Sequence, residues 1–472
     1  MQLVLLEIIN ILFWFVVILI PLVIIHEFGH LIMARLSGVR VVEFGVGIPP
    51  RVAHRKYKGI IWSLNWVLLG GFAKIYGDHD ALDEAHEQAK INPTLAKKQY
   101  LENRLSELVY NHEIQFFLED NQMIYDLSWK EFEQSKFLSS EDTKFTAQKQ
   151  EEYGAKQDTL EKLISWEYDN KLDSSTAFFN KNLFQKTIII LGGVLFNLAT
   201  AFTIFVVFLG FIGTPKQLIS LDNQADIAQN FEIIEQEELV EVAALDTSAA
   251  GYEAGIRPGD KLVSISGQTI AELDGFDQFG DLIEDSRGQE VPVEYIEAST
   301  GDLKTKSLRL TSSGPQSKFG VRSEALGRPT VYKARSIGDA AMYSGAQTAY
   351  VLYRNFEAVW DIIVSPFTGN SEATQNVGGP VRVGEIGSEV FSSQGSKGIL
   401  SIMAMISISL AAFNLLPVPA LDGGRLLIIW VSTILGRRNK QLEGTIITTT
   451  MVAMLALGVL IAIKDIQGLS LG

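Results

Sequence analysis

At 472 residues, with 47% hydrophobic side chains and a positive mean hydropathy, the chain is long enough for two or three domains and too apolar to read as wholly soluble. A formal net charge of −15 without any cluster of Lys and Arg excludes nucleic acid as a partner, because the phosphate backbone demands concentrated positive charge. The absence of cysteine removes disulfides, thiolate zinc sites, iron–sulfur clusters and cysteine nucleophiles together, so any metal must be held by His, Asp or Glu.

The N-terminus lacks the basic n-region and small-residue cleavage site of a removable signal peptide, and reads as a retained membrane helix. Its uncharged run Ile8–Ile25 matches the ~20 residues needed to cross the hydrocarbon core, and HEFGH stands at its end. On a helix, H-E-x-x-H sets His26 and His30 one turn apart on one face, where both can bind one zinc, with Glu27 beside them as a general base. A buried histidine with a satisfied hydrogen bond is the ordinary alternative. It does not account for a glutamate between two histidines at the membrane, where ionisable groups are costly and usually functional. The metzincin continuation would need Gly at position 33 and His at position 36, but Met33 and Leu36 stand there. Glu43 is a possible carboxylate ligand, although it lies close to His30 within VVEFGVGIPP, whose Gly and Pro residues suggest a turn leaving the membrane.

Residues 37–77 continue through GIIWSLNWVLLGGFAKIYG, which reads as strands with a Gly-Gly turn in a membrane-associated β-region. Residues 78–180 are polar and acid-rich, an inserted cytoplasmic module with possible short amphipathic helices at EIQFFLED and LISWEYDN. Its histidines, His79, His86 and His112, sit among solvated charges and read as surface residues. A second span occupies 181–214, where the Gly192-Gly193 pair permits close helix packing. Residues 215–330 switch to short alternating strands (KLVSIS, VPVEYI, KSLRLT) between Gly and Asp turns. Within them AAGYEAGIRPGDKLVSISGQTI resembles the bacterial PDZ pattern, in which a peptide ligand adds to a sheet edge. Residues 331–396 carry Tyr and Trp interleaved at helical spacing, as expected of interfacial amphipathic helices or of a core helix against the β-domain.

Residues 397–472 hold two further spans, Gly398–Leu416 and Thr445–Ile463. Between them, Pro417 and Pro419 cannot continue a helix, so the chain must unwind and present Leu421-Asp422-Gly423-Gly424 at membrane depth, which is tolerated only inside protein or against a wet cavity. Asp422 reads equally as a metal ligand and as the N-cap of the helix that follows. The fold class is therefore a polytopic α-helical membrane protein of about four transmembrane helices, with a membrane-associated β-element and an inserted mainly-β domain. Four spans place both termini on one side. Basic residues flank one face twice, from Arg35 to Lys58 with Lys181 and Lys186, and again at Arg425, Arg437, Arg438 and Lys440; the positive-inside rule makes that face cytoplasmic and puts 215–396 outside.

Together, HEFGH in the first span and FNLLPVPALDGG in a later one resemble the site-2 protease family of intramembrane zinc metalloproteases, peptidase family M50, and in particular the bacterial RseP-like group with a PDZ insert. The resemblance also takes in FGVGIPP, GGFAKIYG and GGPVRVGEIGSE. It implies that His26, His30 and Asp422 bind one zinc ion, that Glu27 is the catalytic base, and that Asn414 helps to hold the substrate backbone. It further implies a multi-pass protein of the bacterial inner membrane, with its active site near the cytoplasmic side. Its substrates would be single-span membrane proteins, its β-element would pair with the unwound substrate, and an extracytoplasmic PDZ domain would bind peptide and admit trimmed substrates. Two features depart from the pattern: the 78–180 insertion has no counterpart, and one PDZ signature stands where some relatives carry two. A catalytically inactive PDZ adaptor for exported peptides is the alternative reading. A metal-ion transporter is a third, less consistent with so few intramembrane carboxylates.

Overall fold

The computed structural model describes residues 2–78, 93–110, 175–273, 275–368, 380–435 and 440–468, together with Ile164, Ser165 and Tyr168. His79, His86, His112 and the two amphipathic patches expected in the insertion lie outside the described residues, apart from those last three positions. Four described helices are long and apolar enough to cross a membrane, covering Ile9–Leu36, Leu183–Ile212, Val381–Asn414 and Leu442–Ile461. The residues fall into two compact units, 20–197 with 411–464, and 198–410 with both chain ends.

The first unit starts in α1 (Gln2–Leu36), which carries HEFGH in its last turns and Pro21 in its interior. A tight turn at Lys58 and Gly59, both at positive φ, joins β1 (Val41–Tyr57) to β2 (Ile60–Ile75) as an antiparallel hairpin. The pairing is more than a simple hairpin. Glu43, Phe44, Gly45 and Val46 are each paired twice, with Lys74, Ala73, Phe72 and Gly71 on one side and with Ile61, Trp62, Ser63 and Leu64 on the other. Along β1 the first set of partners descends in number and the second ascends, so β2 reverses between them. Gly70, at φ 131°, lies in that reversal, where the Gly-Gly turn is expected. The run from Gly71 to Ile75 is left as a sheet edge.

In the insertion, α2 (Pro93–Tyr110) is the long described helix. The chain re-enters at Phe178, whose N–H donates to the Tyr76 carbonyl, and continues into α3 (Leu183–Val207), extended by a π-turn at Phe208–Ile212. An apolar core joins Leu31 and Ala34 of α1, Val41, Phe44 and Ile75 of the sheet, Phe178, and Ile189 and Ile190 of α3.

The second unit holds the β-domain. Its sheet runs β3 (Gln217–Ser220), β10 (Leu326–Ala334), β5 (Val240–Val242), β6 (Lys261–Ile265), β8 (Glu290–Ile296), β9 (Leu303–Arg309), with β4 (Phe231–Gln236) on β10 and β7 (Gln268–Thr269) on β6. The three strands expected from sequence alternation are present. One ten-residue helix, α4 (Phe276–Asp285), buries Phe279, Leu282 and Ile283 against the sheet core of Val240, Leu262, Val293 and Leu308. The AGIRPGD turn is built around Asp260, which is 2% exposed and accepts the backbone N–H groups of Arg257 and Ala298.

Residues 337–368 form a single helix, α5 (Ile337–Thr368), that exposes Met342, Tyr350, Tyr353 and Trp360 along one stripe. Of GGPVRVGEIGSE, expected among interfacial helices, the described part PVRVGEIGSE opens α6 (Pro380–Asn414), which runs into the third span through a kink at Gly395. The glycines at that end serve contact: a Cβ on Gly384 would lie 2.2 Å from the Ile11 carbonyl oxygen, and one on Gly387 would lie 3.0 Å from Trp14 Cβ. Back in the first unit, α7 (Asp422–Leu435) and α8 (Lys440–Gly468) complete the chain.

Candidate metal centre

The i, i+4 spacing on α1 brings the His26 and His30 rings edge to face, with centroids 4.9 Å apart and Nε2 atoms 3.3 Å apart. Asp422, at the start of α7, places Oδ2 3.2 Å from His26 Nε2 and 3.4 Å from His30 Nε2. The three side chains are about nine-tenths buried. Zinc bonds of about 2.0–2.1 Å in tetrahedral geometry require ligand atoms about 3.3 Å apart. The triangle of 3.2, 3.4 and 3.3 Å is one face of such a tetrahedron.

The protons of the two rings are directed away from this triangle. His30 Nδ1 lies 3.0 Å from the Ile189 carbonyl oxygen, which can only accept, so Nδ1 carries the proton and Nε2 offers a lone pair. His26 Nδ1 faces the amide of Asn197, 3.2 Å from Nδ2, and Asn197 is fully buried. An amide presents either its NH2 or its oxygen to the same point by a half-turn. With the oxygen toward Nδ1, His26 likewise keeps the Nε2 lone pair for the cluster. Asp422 Oδ2 is buried and accepts no hydrogen bond. Three acceptor atoms then converge on one point around a buried carboxylate, a donor set that a cation completes. His26, His30 and Asp422 are the described group of this kind able to hold a metal ion.

Small residues allow this approach. A Cβ on Gly29 would lie 2.2 Å from the Gly192 carbonyl oxygen, so the α1 and α3 backbones touch there. A Cβ on Gly193 would fall 2.5 Å from the His26 ring. The loop between α6 and α7 has the same character: a Cβ on Gly423 would meet the Leu415 carbonyl oxygen at 2.3 Å, and one on Gly424 the Val418 carbonyl oxygen at 2.0 Å. The Gly-Gly after Asp422 is thus the condition for folding Pro417 and Pro419 back over the helix start.

Glu27 is half-buried, and Gly71 of the sheet edge packs on it, since a Cβ there would lie 3.1 Å from Glu27 Cγ. Asn414 is the last residue of α6, half-buried, at the entry to the loop that leads to Asp422. Glu43 is not in the cluster. It is 2% exposed, with Oε1 accepting from Arg51 Nε at 2.9 Å and from the Ser63 hydroxyl at 2.5 Å, and Oε2 accepting from Arg51 Nη2 at 2.5 Å. A carboxylate so engaged inside the sheet has no lone pair directed at the histidines. Asn197 and the Ile189 carbonyl are the supporting groups that sequence reading passes over. The signal for Asn197 is a lone amide in the middle of an uncharged span, where a polar group needs a partner.

Against known protein families, residues 14–458 match the family described as Peptidase family M50. The chain belongs to peptidase family M50. A Staphylococcus aureus (strain MRSA252) protein named "Putative zinc metalloprotease" is 24% identical over 471 residues, covering 96% of this chain and 97% of the relative. A Streptococcus pyogenes serotype M6 protein of the same description is 25% identical over 463 residues, covering 96% and 98%. This M50 chain, similar over nearly its whole length to bacterial proteins, thus carries four helices long and apolar enough to cross a membrane and a His-His-Asp cluster able to coordinate a metal. Both observations support metalloprotease activity at the membrane.

Proposed function

We propose that the protein is an intramembrane zinc metalloendopeptidase of the site-2 protease type, hydrolysing peptide bonds within transmembrane segments of single-span membrane proteins. The observation that carries this is the triangle of His26 Nε2, His30 Nε2 and Asp422 Oδ2 with zinc-ligand spacing, set beside Glu27 on a membrane helix. His26, His30 and Asp422 would hold a zinc ion, which would supply a Lewis acid for the scissile carbonyl and acidify the attacking water. Glu27, adjacent to the ligands, takes the proton of the attacking water and delivers it to the leaving amine. His30 is held in its ligating tautomer by Ile189, and His26 by Asn197.

A transmembrane helix hides its carbonyls in hydrogen bonds, so cleavage requires an extended substrate. The edge run from Gly71 to Ile75 lies next to Glu27, where an unwound segment can add as a further strand. Asn414, at the unwound end of α6, holds the substrate backbone from the other motif. The β-domain is a PDZ domain that binds peptides on the extracytoplasmic side, a reading supported by its AGIRPGD turn and by the basic residues flanking the opposite face. The setting is the bacterial cell membrane.

Glu27→Gln, purified in detergent, is expected to retain one zinc ion per chain and to lose cleavage of a single-span reporter. Asp422→Ala is expected to lose both. Cleavage by Glu27→Gln at the wild-type rate would remove Glu27 from the chemistry, and a wild-type protein without zinc would favour the inactive-adaptor reading.

A further inference from the structure

Asp422 stands at the first turn of α7 and is followed at once by Gly423 and Gly424, whose intrinsic preference for a helical turn is low. Above it, the loop 415–421 is not helical. Backbone contacts hold that turn against 415–418, and its direction about the α7 axis is set also from outside. Apolar packing supplies part of that through Ile429, which joins the core formed with Ile75, Phe178 and Ile189. Apolar contacts are non-directional, however, and tolerate small rolls of a helix.

The directional contact is polar. Arg425 Nη2 donates to Asp78 Oδ2 at 2.6 Å, across 347 residues of sequence, with the Asp78 side chain 8% exposed and that of Arg425 26% exposed. Arg425 lies three residues after Asp422 on the same face of α7, and long helical side chains lean back toward the N-terminus, over the ligand's own turn. Asp78 is itself anchored. It follows Gly77, whose φ of 72° lets the chain turn, and its N–H donates to the Ile75 carbonyl. Tyr76 is tied through backbone hydrogen bonds to Arg40 and Phe178. The ion pair therefore joins the root of the β-sheet to the turn that carries Asp422.

We infer that the Arg425–Asp78 pair is a positioning device that fixes the azimuth of α7, and with it the direction of Asp422 toward His26 and His30. A roll of about 20° carries a Cα on the 2.3 Å helix cylinder through about 0.8 Å. Metal–ligand distances tolerate about 0.2 Å. Without the pair, a rotation of that size displaces the carboxylate beyond ligating range. The inference rests on the zinc-site reading above and names residues that lie outside the ligand set.

The test is zinc affinity, measured by chelator competition on full-length protein in detergent, for wild type, Asp78→Asn, Arg425→Gln, Arg425→Lys and the double variant Asp78→Asn/Arg425→Gln. Loss of groups that orient metal ligands typically costs about 10- to 100-fold in metal affinity, and that loss is expected in both single neutralised variants. The double variant is expected to lose no more than either single one, because the two residues act as one contact. Arg425→Lys, which keeps the charge but not the planar fork, is expected to fall between. The visible spectrum of the cobalt-substituted protein should show the tetrahedral signature weakened in the neutralised variants, with thermal unfolding otherwise preserved. Zinc affinity within twofold of wild type in all variants, or additive losses in the double variant, would overturn the inference. If a single variant fails to fold because a buried charge is left unpaired, the double variant carries the test. A double variant that also fails to fold would show that the pair serves the fold rather than the site. Failure of the zinc-protease reading itself is a separate result, seen as a wild-type protein that neither holds zinc nor cleaves.

Discussion

Gly193→Ala adds one methyl group to α3, and its consequence can be worked from the packing. The new Cβ would lie 2.5 Å from both Cε1 and Nε2 of His26. Carbon atoms settle at about 3.5–4.0 Å, so either the ring or the α3 backbone must retreat by about 1 Å. The backbone is not free to do so: at the neighbouring residue, a Cβ on Gly192 would already be 2.6 Å from the Gly29 carbonyl oxygen, which means the two helices are at contact distance. The ring therefore moves, pulling Nδ1 from Asn197 and Nε2 from the triangle. A displacement of about 1 Å exceeds the latitude of about 0.2 Å in metal–ligand distance several-fold. Zinc affinity is expected to fall by at least the 10- to 100-fold seen when outer partners of a ligand are removed, and cleavage by about 100-fold or more. The assay is metal analysis and chelator competition on detergent-purified protein, paired with cleavage of a single-span reporter. Gly210→Ala is the control, since its Cβ would meet only Ala340 Cβ at an ordinary 3.5 Å. Wild-type zinc affinity and cleavage in Gly193→Ala would refute the claim that this glycine makes room for the ligand ring.

Three further outcomes are expected. Asn197→Ala should fold but hold zinc about 10- to 100-fold more weakly, read by chelator competition, because His26 Nδ1 loses the group that orients it. Glu43→Gln should break the buried Glu43–Arg51 ion pair and lower the thermal unfolding temperature; Glu43→Gln/Arg51→Gln should recover part of the loss. In the β-domain, burial disfavours ionised Glu237, but hydrogen bonds and charge from Lys261 and Lys216 outweigh it and hold its carboxyl below the usual carboxylate range. A depressed carboxylate contributes stability that is present above its unfolded pKa and lost as pH falls through the folded value. The hydrogen-exchange protection of β5 and β6, taken relative to the intrinsic rate at each pH, should therefore fall on acidification below the ordinary carboxylate range, and Glu237→Gln should flatten that part of the dependence.

Much of this protein is carried by short-range pattern. The apolar runs announce four spans because length against bilayer thickness is a local property. H-E-x-x-H announces two co-facial imidazoles because four residues close one helical turn. Pro417 and Pro419 mark the unwound loop through their missing N–H groups and fixed φ, and the alternation in KLVSIS and VPVEYI marks strands. None of these signals reaches across the chain. Only tertiary packing brings Asp422 to His26 and His30, gives Glu43 to Arg51 and Ser63, and turns Asn197 onto His26 Nδ1. It also sets Gly29 against Gly192 and Gly193 against the His26 ring, and it runs PVRVGEIGSE into the helix of the third span. The physical reason is the same in each case. A side chain's chemistry is local, but its partner is chosen by which surfaces the folded chain presses together.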